Sequence, residues 1–134
     1  MHEADLRQPA IRVTLLPRDT NPHGTIFGGV ILSFIDQAGA IEAHRHGATR
    51  VVTVAMEKVV FHEPVYVGDL VSFYAELVRV GKTSITVRVV VEASGLGGAH
   101  PVRRVTEAQI TYVNVDERGR PMPVPRRRAR STKR

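Results

Sequence analysis

Alternation of apolar and polar positions dominates the second half of the chain. Across residues 70–80, Val71, Phe73, Ala75 and Leu77 share one face. Across residues 84–93, Ile85, Val87, Val89 and Val91 alternate with Thr86, Arg88 and Glu92. A period of two predicts strands with one buried face. The Val- and Thr-rich stretch 50–61 and the alternating stretch 102–115 read the same way. Residues 12–16 form a shorter candidate, stopped by Pro17. Turn chemistry separates these strands: Pro64-Val-Tyr-Val-Gly-Asp69, Gly81-Lys82, the glycine-rich stretch 94–101 and Asp116-Glu-Arg-Gly119.

One stretch has a different rhythm. Residues 27–46 contain no proline, carry Arg45 near their end and are followed by Gly47, well placed as a C′ residue. At 100° per residue, Phe27, Ile31, Phe34, Ala38 and Ile41 share an arc. The opposite arc holds Gly29, Leu32, Asp36, Gly39, Ala40 and Ala43. A helix apolar nearly all round is expected to be buried on most sides.

The order is strand, long helix, then four long strands. The fold class expected is α+β: one helix covering about five mainly antiparallel strands. One helix cannot hide both faces of such a sheet, and Val78, Val80 and Val90 suggest further burial. A dimer or larger oligomer with joined sheets or edges is therefore expected.

Charge changes the picture only at one end. The 134 residues carry 19 Lys+Arg against 13 Asp+Glu, a formal net charge of +6. Residues 126–134 hold six of those cations and no acid, so the other 125 residues are formally neutral. The expected division is a lead-in over residues 1–11, one domain over 12–125 and a basic, solvated tail over 126–134. Aromatics are 5% of the chain and none lies in the tail, so specific nucleic-acid binding is not expected. Cysteine is absent, which excludes disulfides and thiolate chemistry. No uncharged apolar run reaches the roughly 18 residues of a membrane span. The N-terminus lacks the apolar core of a signal peptide. A cytoplasmic protein without membrane attachment is expected.

Asp36 is the most informative candidate for chemistry. It lies in mid-helix among Leu32, Gly39 and Ala40, whose small side chains leave room for a ligand. It is either a functional carboxylate or one that caps backbone or pairs with an arginine. Gly28 and Gly29 open the helix, where unpaired N–H groups and the helix dipole favour an anion or oxyanion. Close helix–sheet packing is the alternative. Asn21, in a proline-bounded loop, is a ligand-directed amide or the head of an Asx-turn. His44 and His46 point about 200° apart on a helix and cannot share a metal. His23 is a weaker base candidate beside Asp19. Ser33 lacks the nucleophile elbow, and the glycines at 95–98 form no dinucleotide fingerprint.

Taken together, Pro17-x-Asp19-x-Asn21-x-x-Gly24-x-x-Phe27-Gly28-Gly29 and Asp36-x-x-Gly39-Ala40 resemble the hotdog-fold acyl-CoA thioesterases. The branch resembled contains the YciA-type enzymes and the brain-type cytosolic acyl-CoA hydrolases. Arg50-Val-Val-Thr-Val-Ala-Met-Glu57, Phe61-x-x-Pro-Val-x-Val-Gly-Asp69, Gly81-x-Thr-Ser84 and Thr111-Tyr-Val113 extend the likeness over about residues 12–125. The resemblance implies a helix wrapped by a five- or six-stranded antiparallel sheet. It also implies a dimer joined edge to edge, commonly assembled as a trimer of dimers. It implies hydrolysis of acyl-CoA to carboxylic acid and CoA, with no metal or cofactor beyond the CoA of the substrate. Asp36 is then the general base or nucleophile, with Asn21 contributed by the opposite subunit. Gly28 and Gly29 form the oxyanion site. Lys82, Thr83 and Ser84 are the expected contacts to CoA, with Arg50 and the arginines of the tail as further candidates. Phe27 stands where some relatives carry a histidine. The competing readings are an acyl-carrier-protein thioesterase or hydratase of the same fold, and a non-catalytic acyl-CoA sensor.

Overall fold

The computed structural model describes residues 8–98 and 100–125. The tail at 126–134 and the first seven residues lie outside this range. The elements in chain order are β1 (Ile11–Thr14), α1 (Gly28–Arg45), β2 (Val51–Phe61), β3 (Asp69–Val80), β4 (Ser84–Gly95) and β5 (Arg103–Asn114). The strands form one antiparallel sheet in the order β1-β3-β4-β5-β2, so β2 and the four-residue β1 are its edges.

The alternating rows behave as their period demands. Val71 and Phe73 of β3, and Ile85, Val87, Val89 and Val91 of β4, are fully buried on the face that meets α1. Ala108, Ile110 and Tyr112 continue this inner row on β5. Phe34 of α1 packs its ring 5.6 Å from that of Phe73. Burying an Ile, Val or Phe side chain is worth about 1.5–3 kcal/mol each, so this row is a large part of the fold's driving force.

The helix ends as Gly47 requires. Gly47 has φ 109°, its N–H donates to His44 O at 3.1 Å, and Ala48 N–H donates to Ala43 O at 3.2 Å. These two bonds make a Schellman cap.

The buried face of α1 differs from the arc predicted. Ile31, Ile35, Ala38, Gly39, Glu42 and Ala43 are buried, whereas Phe27 and Ile41 are 57% and 41% exposed. The reason is that apolar residues surround the helix, so periodicity could not orient it. Within one chain the helix is covered on one side only, and its outer side carries Ser33, Gln37 and Ile41 exposed. Glu42, a buried acid the sequence did not flag, accepts from His46 Nε2 at 2.8 Å and Arg45 Nη1 at 3.2 Å. Val90 is already buried within the chain, while Val78 remains 43% exposed.

Candidate active site

Asp36 stands on the side of α1 that faces β2. Its Oδ1 accepts a hydrogen bond from Thr53 Oγ1 at 2.7 Å. Among the described residues no lysine or arginine forms an ion pair with it. The carboxylate is half-buried and held by a neutral hydroxyl. Among the described residues, then, the carboxylate has a hydroxyl partner and no arginine partner.

Thr53 lies opposite Tyr112 in the β2–β5 ladder. The Tyr112 hydroxyl donates to the backbone carbonyl of Asp36 at 2.7 Å. One cross-strand pair thus grips Asp36 twice, Thr53 at the side chain and Tyr112 at the backbone. Burial first, then the negative charge of Asp36, push the Tyr112 phenol above its ordinary value of 10. Tyr112 therefore remains a neutral donor throughout the physiological range.

The space at Gly39 is not a ligand's. A Cβ there would fall almost on the Tyr112 hydroxyl oxygen, and 3.1 Å from its Cζ. This corrects the expectation that the small residues around Asp36 leave room for a ligand: at Gly39 the room is filled by Tyr112.

The start of α1 is built differently. Phe27 N–H donates to Asp19 O at 2.8 Å, and Val30 N–H donates to Phe27 O at 3.0 Å. Between them, the amides of Gly28 and Gly29 find no acceptor outside the helix among the described residues, and a first turn offers none inside it. The Phe61 ring lies 3.3 Å from where a Gly28 Cβ would be, and the Phe27 ring 3.3 Å from that of Gly29. These glycines therefore admit close aromatic neighbours, and among the described residues their amides have no acceptor.

Asn21 is held within its own loop. Its Oδ1 accepts from His23 N–H at 2.8 Å and Thr25 N–H at 3.2 Å, and its Nδ2 donates to Thr25 Oγ1 at 2.8 Å. This is the Asx-turn alternative, and it leaves one of the two Nδ2 hydrogens unspent. Within one chain no contact joins Asn21 to Asp36.

The cationic candidates gather at one end of the molecule. Thr83 O accepts from Asn114 N–H at 2.8 Å, Arg50 O from Val115 N–H at 2.8 Å, and Lys82 O from Val124 N–H at 2.9 Å. Arg50 and the Lys82-Thr83-Ser84 hairpin therefore bracket the end of β5. Beside Arg50 lies a groove of about 660 Å³ lined by Arg50, Arg118 and Arg120 and by the acids Asp116 and Glu117, with Asp116 paired to Arg120 at 3.4 Å. Arg118 and Arg120 were missed because nothing in their spacing marks them; the turn at Asp116 brings them beside Arg50. The amides of Arg120 and Arg118 hold the Asp116 carboxyl below its ordinary range. Buried Asn114 ties this end together, accepting from Thr49 N–H and Arg50 N–H and donating to Pro123 O.

Two further histidines are engaged elsewhere. His44 Nδ1 lies 2.9 Å from Ala48 O, and His62 Nε2 is 2.8 Å from Glu107 Oε2. No described helix is long and apolar enough to cross a membrane.

A long helix wrapped by a five-stranded antiparallel sheet, with a carboxylate at mid-helix and free amides at its start, defines a hotdog fold with a helix-borne site. Residues 23–99 match the model of the thioesterase superfamily. The chain belongs to this superfamily. The acyl-CoA thioester hydrolase YciA of Salmonella typhimurium is 42% identical over 118 residues, covering 86% of this chain and 88% of the relative. A hexameric hotdog fold thioesterase of Campylobacter jejuni superposes with a TM-score of 0.83 at 47% identity, over 90% of this chain and 92% of that one. A hexameric broad specificity acyl-coenzyme A thioesterase, solved as an aspartate-to-alanine mutant, gives 0.86 at 38% identity, over 92% and 90%.

Proposed function

We propose that this chain hydrolyses acyl-CoA thioesters to a carboxylic acid and coenzyme A. The observation that carries the reading is Asp36: a half-buried carboxylate with no cationic partner among the described residues, fixed by Thr53 at 2.7 Å. The relatives of Salmonella typhimurium and Campylobacter jejuni support the same reaction.

Asp36 acts as general base. It takes a proton from water as the water oxygen adds to the thioester carbon. The carbonyl oxygen becomes an oxyanion, stabilised by the Gly28 and Gly29 amides. One such donor is worth about 3 kcal/mol of barrier. The C–S bond then breaks, and the CoA thiolate leaves and is protonated.

These parts do not meet in one chain. Gly28 and Asp36 are eight residues apart on one helix, about 12 Å along its axis at ~1.5 Å per residue. One carbonyl cannot touch both. We infer that each site uses Asp36 and Thr53 of one subunit and the glycines and Asn21 of another. The second subunit docks along β2, an unpaired sheet edge. Val52, Val54, Val60 and Phe61 are exposed there, and Phe27 and Ile41 are exposed on the helix. The hexamers formed by two of the solved relatives support assembly of such dimers in threes.

The Arg50, Arg118 and Arg120 groove takes the CoA phosphates, with Lys82, Thr83 and Ser84 beside it. Arg50 is three strand residues from Thr53, about 10 Å at ~3.3 Å per residue. No metal or further cofactor has a part in this scheme. We place the enzyme in the cytoplasm, a reducing compartment that its lack of cysteine fits.

The test is Asp36→Ala, assayed by free-thiol release from acyl-CoA. It is expected to remain a folded oligomer, bind CoA and lose about 100-fold or more in kcat. Near-normal turnover refutes the reading.

A further inference from the structure

Met56 and Phe61 lie five residues apart on β2, an odd separation that puts two side chains on opposite faces of a regular strand. Yet Met56 stands opposite Ile110 and Phe61 opposite Thr106, four apart on β5 and so on one face, the face that meets α1. A bulge makes the difference. Glu57 pairs with Gln109 and Val60 with Glu107, so Lys58 and Val59 together span Ala108. Lys58 has φ 54° and is the one non-glycine residue with positive φ among the described residues. A lysine in the left-handed region is strained, and bulges and strain of this kind gather where a side chain must be aimed. Without the extra residue, Phe61 would turn to the outer face.

Turned inward, Phe61 lines a cavity of about 340 Å³ with Ile26, Gly28, Ile31, Pro64 and Val65. Its ring lies 3.3 Å from where a Gly28 Cβ would be, yet half of the residue is still exposed. The Gly28 amide, without an acceptor among the described residues, is where the proposed reaction holds the thioester oxygen. The carbon chain leaves that same carbonyl, so it starts beside the Phe61 ring. Two polar residues of the rim are paired: His62 with Glu107 at 2.8 Å, and Glu63 with Arg103 at 3.6 Å. The surface left for a chain is mainly apolar. At about 30 Å³ per water-sized group, the cavity holds on the order of ten heavy atoms.

We propose that Phe61 is the residue that limits acyl-chain length: its ring walls the cavity beside the Gly28 amide and restricts it to chains of about ten carbons or fewer. The substrate class is then short to medium acyl-CoA thioesters. This rests on the thioesterase reading. One methylene accepted or refused by an apolar pocket changes kcat/KM about tenfold or more, so a change in the size of this one ring is readable as a change in chain-length preference.

The experiment compares kcat/KM for butyryl-CoA, octanoyl-CoA and palmitoyl-CoA by free-thiol release. The full chain is used as wild type, Phe61→Ala, Phe61→Leu and Phe61→Trp. Wild type is expected to favour octanoyl-CoA over palmitoyl-CoA. Phe61→Ala opens the wall and raises the palmitoyl-to-octanoyl ratio about tenfold. Phe61→Leu shifts it the same way by less, and serves should the alanine variant fold or assemble poorly. Phe61→Trp narrows the cavity and shifts preference the other way, from octanoyl-CoA towards butyryl-CoA. Ratios are read within each variant, so a change in assembly that scales every substrate cancels. Equal use of octanoyl-CoA and palmitoyl-CoA by wild type, or ratios unchanged in the variants, overturns the inference while leaving the thioesterase reading intact. Absence of thiol release from every acyl-CoA by wild type overturns both.

Discussion

Gly39 and Tyr112 are 73 positions apart in sequence, yet the helix can sit where it does only because one lacks a side chain. Gly39→Ala would place a methyl group almost on the Tyr112 hydroxyl oxygen, with Cζ at 3.1 Å and Cε2 at 3.2 Å. Tyr112 is fully buried and cannot swing into solvent. The variant must therefore push α1 off the sheet or break the 2.7 Å bond from Tyr112 to Asp36 O. Overpacking costs about 1–3 kcal/mol. A broken buried hydrogen bond costs a further ~1–3 kcal/mol. Alanine returns about 0.8–1.0 kcal/mol through helix propensity. The net expectation is destabilisation by about 1–5 kcal/mol, a fall in Tm on the order of 10 °C. Tyr112→Phe alone removes the hydroxyl and costs about 1–2 kcal/mol. The double variant removes the oxygen the methyl collides with, so it should cost little more than Tyr112→Phe alone. Urea or thermal denaturation at one fixed protomer concentration measures all four corners of the cycle. A coupling of about 2 kcal/mol in favour of the double variant is expected. Strict additivity, or a Gly39→Ala chain more stable than wild type, refutes the reasoning.

Thr53→Val removes the hydroxyl that holds Asp36 and leaves the strand intact. A hydrogen bond to a charged group is worth about 1.5–3 kcal/mol, so kcat should fall roughly 10–100-fold with KM little changed, and an unaltered kcat rejects the positioning role. Arg50→Ala with Arg118→Ala should raise KM for acyl-CoA about tenfold and flatten its dependence on salt; equal salt dependence in variant and wild type places the CoA phosphates elsewhere. Glu107 sits on the outer sheet face between His62 and Arg88, and the His62 hydrogen bond, with Arg88 beside it, holds its carboxyl below the ordinary value of 4.5. A lowered folded pKa stabilises above the unfolded value and is lost as pH falls through the folded one. Glu107→Gln should therefore cost about 1 kcal/mol at pH 7, and the gap in Tm from wild type should close as pH drops from about 5 towards 3. A gap independent of pH in that range contradicts it.

How much of this could be read in the chain follows from the range of each interaction. The strands β3 and β4 announce themselves because each has one uniformly apolar row, and neighbours two apart suffice to see it. The end of α1 is equally local, since Gly47 alone supplies the left-handed residue its cap needs. Orientation of α1 was not readable. Periodicity orients a helix only when one side is polar, and α1 carries apolar residues on every side, so buried Glu42 and exposed Phe27 both run against composition. For the site, Asp36, Gly28 and Gly29 were visible as chemistry within one helix. Thr53 and Tyr112 were not, because both reach Asp36 only once β2 and β5 are laid beside α1.

The same helix explains why its own motif is incomplete. Gly28 and Asp36 lie close in sequence and so look like one site, but an α-helix holds them about 12 Å apart. A thioester carbonyl within reach of both needs a second copy of the chain, set so that its helix start approaches the first copy's Asp36. The features that leave β2 uncovered, an unpaired edge with Val52, Val54 and Phe61 exposed, are the ones the proposed second copy would cover. Under the proposed mechanism, catalysis is tied to assembly: a lone protomer would hold the base and the oxyanion donors, but in two different sites.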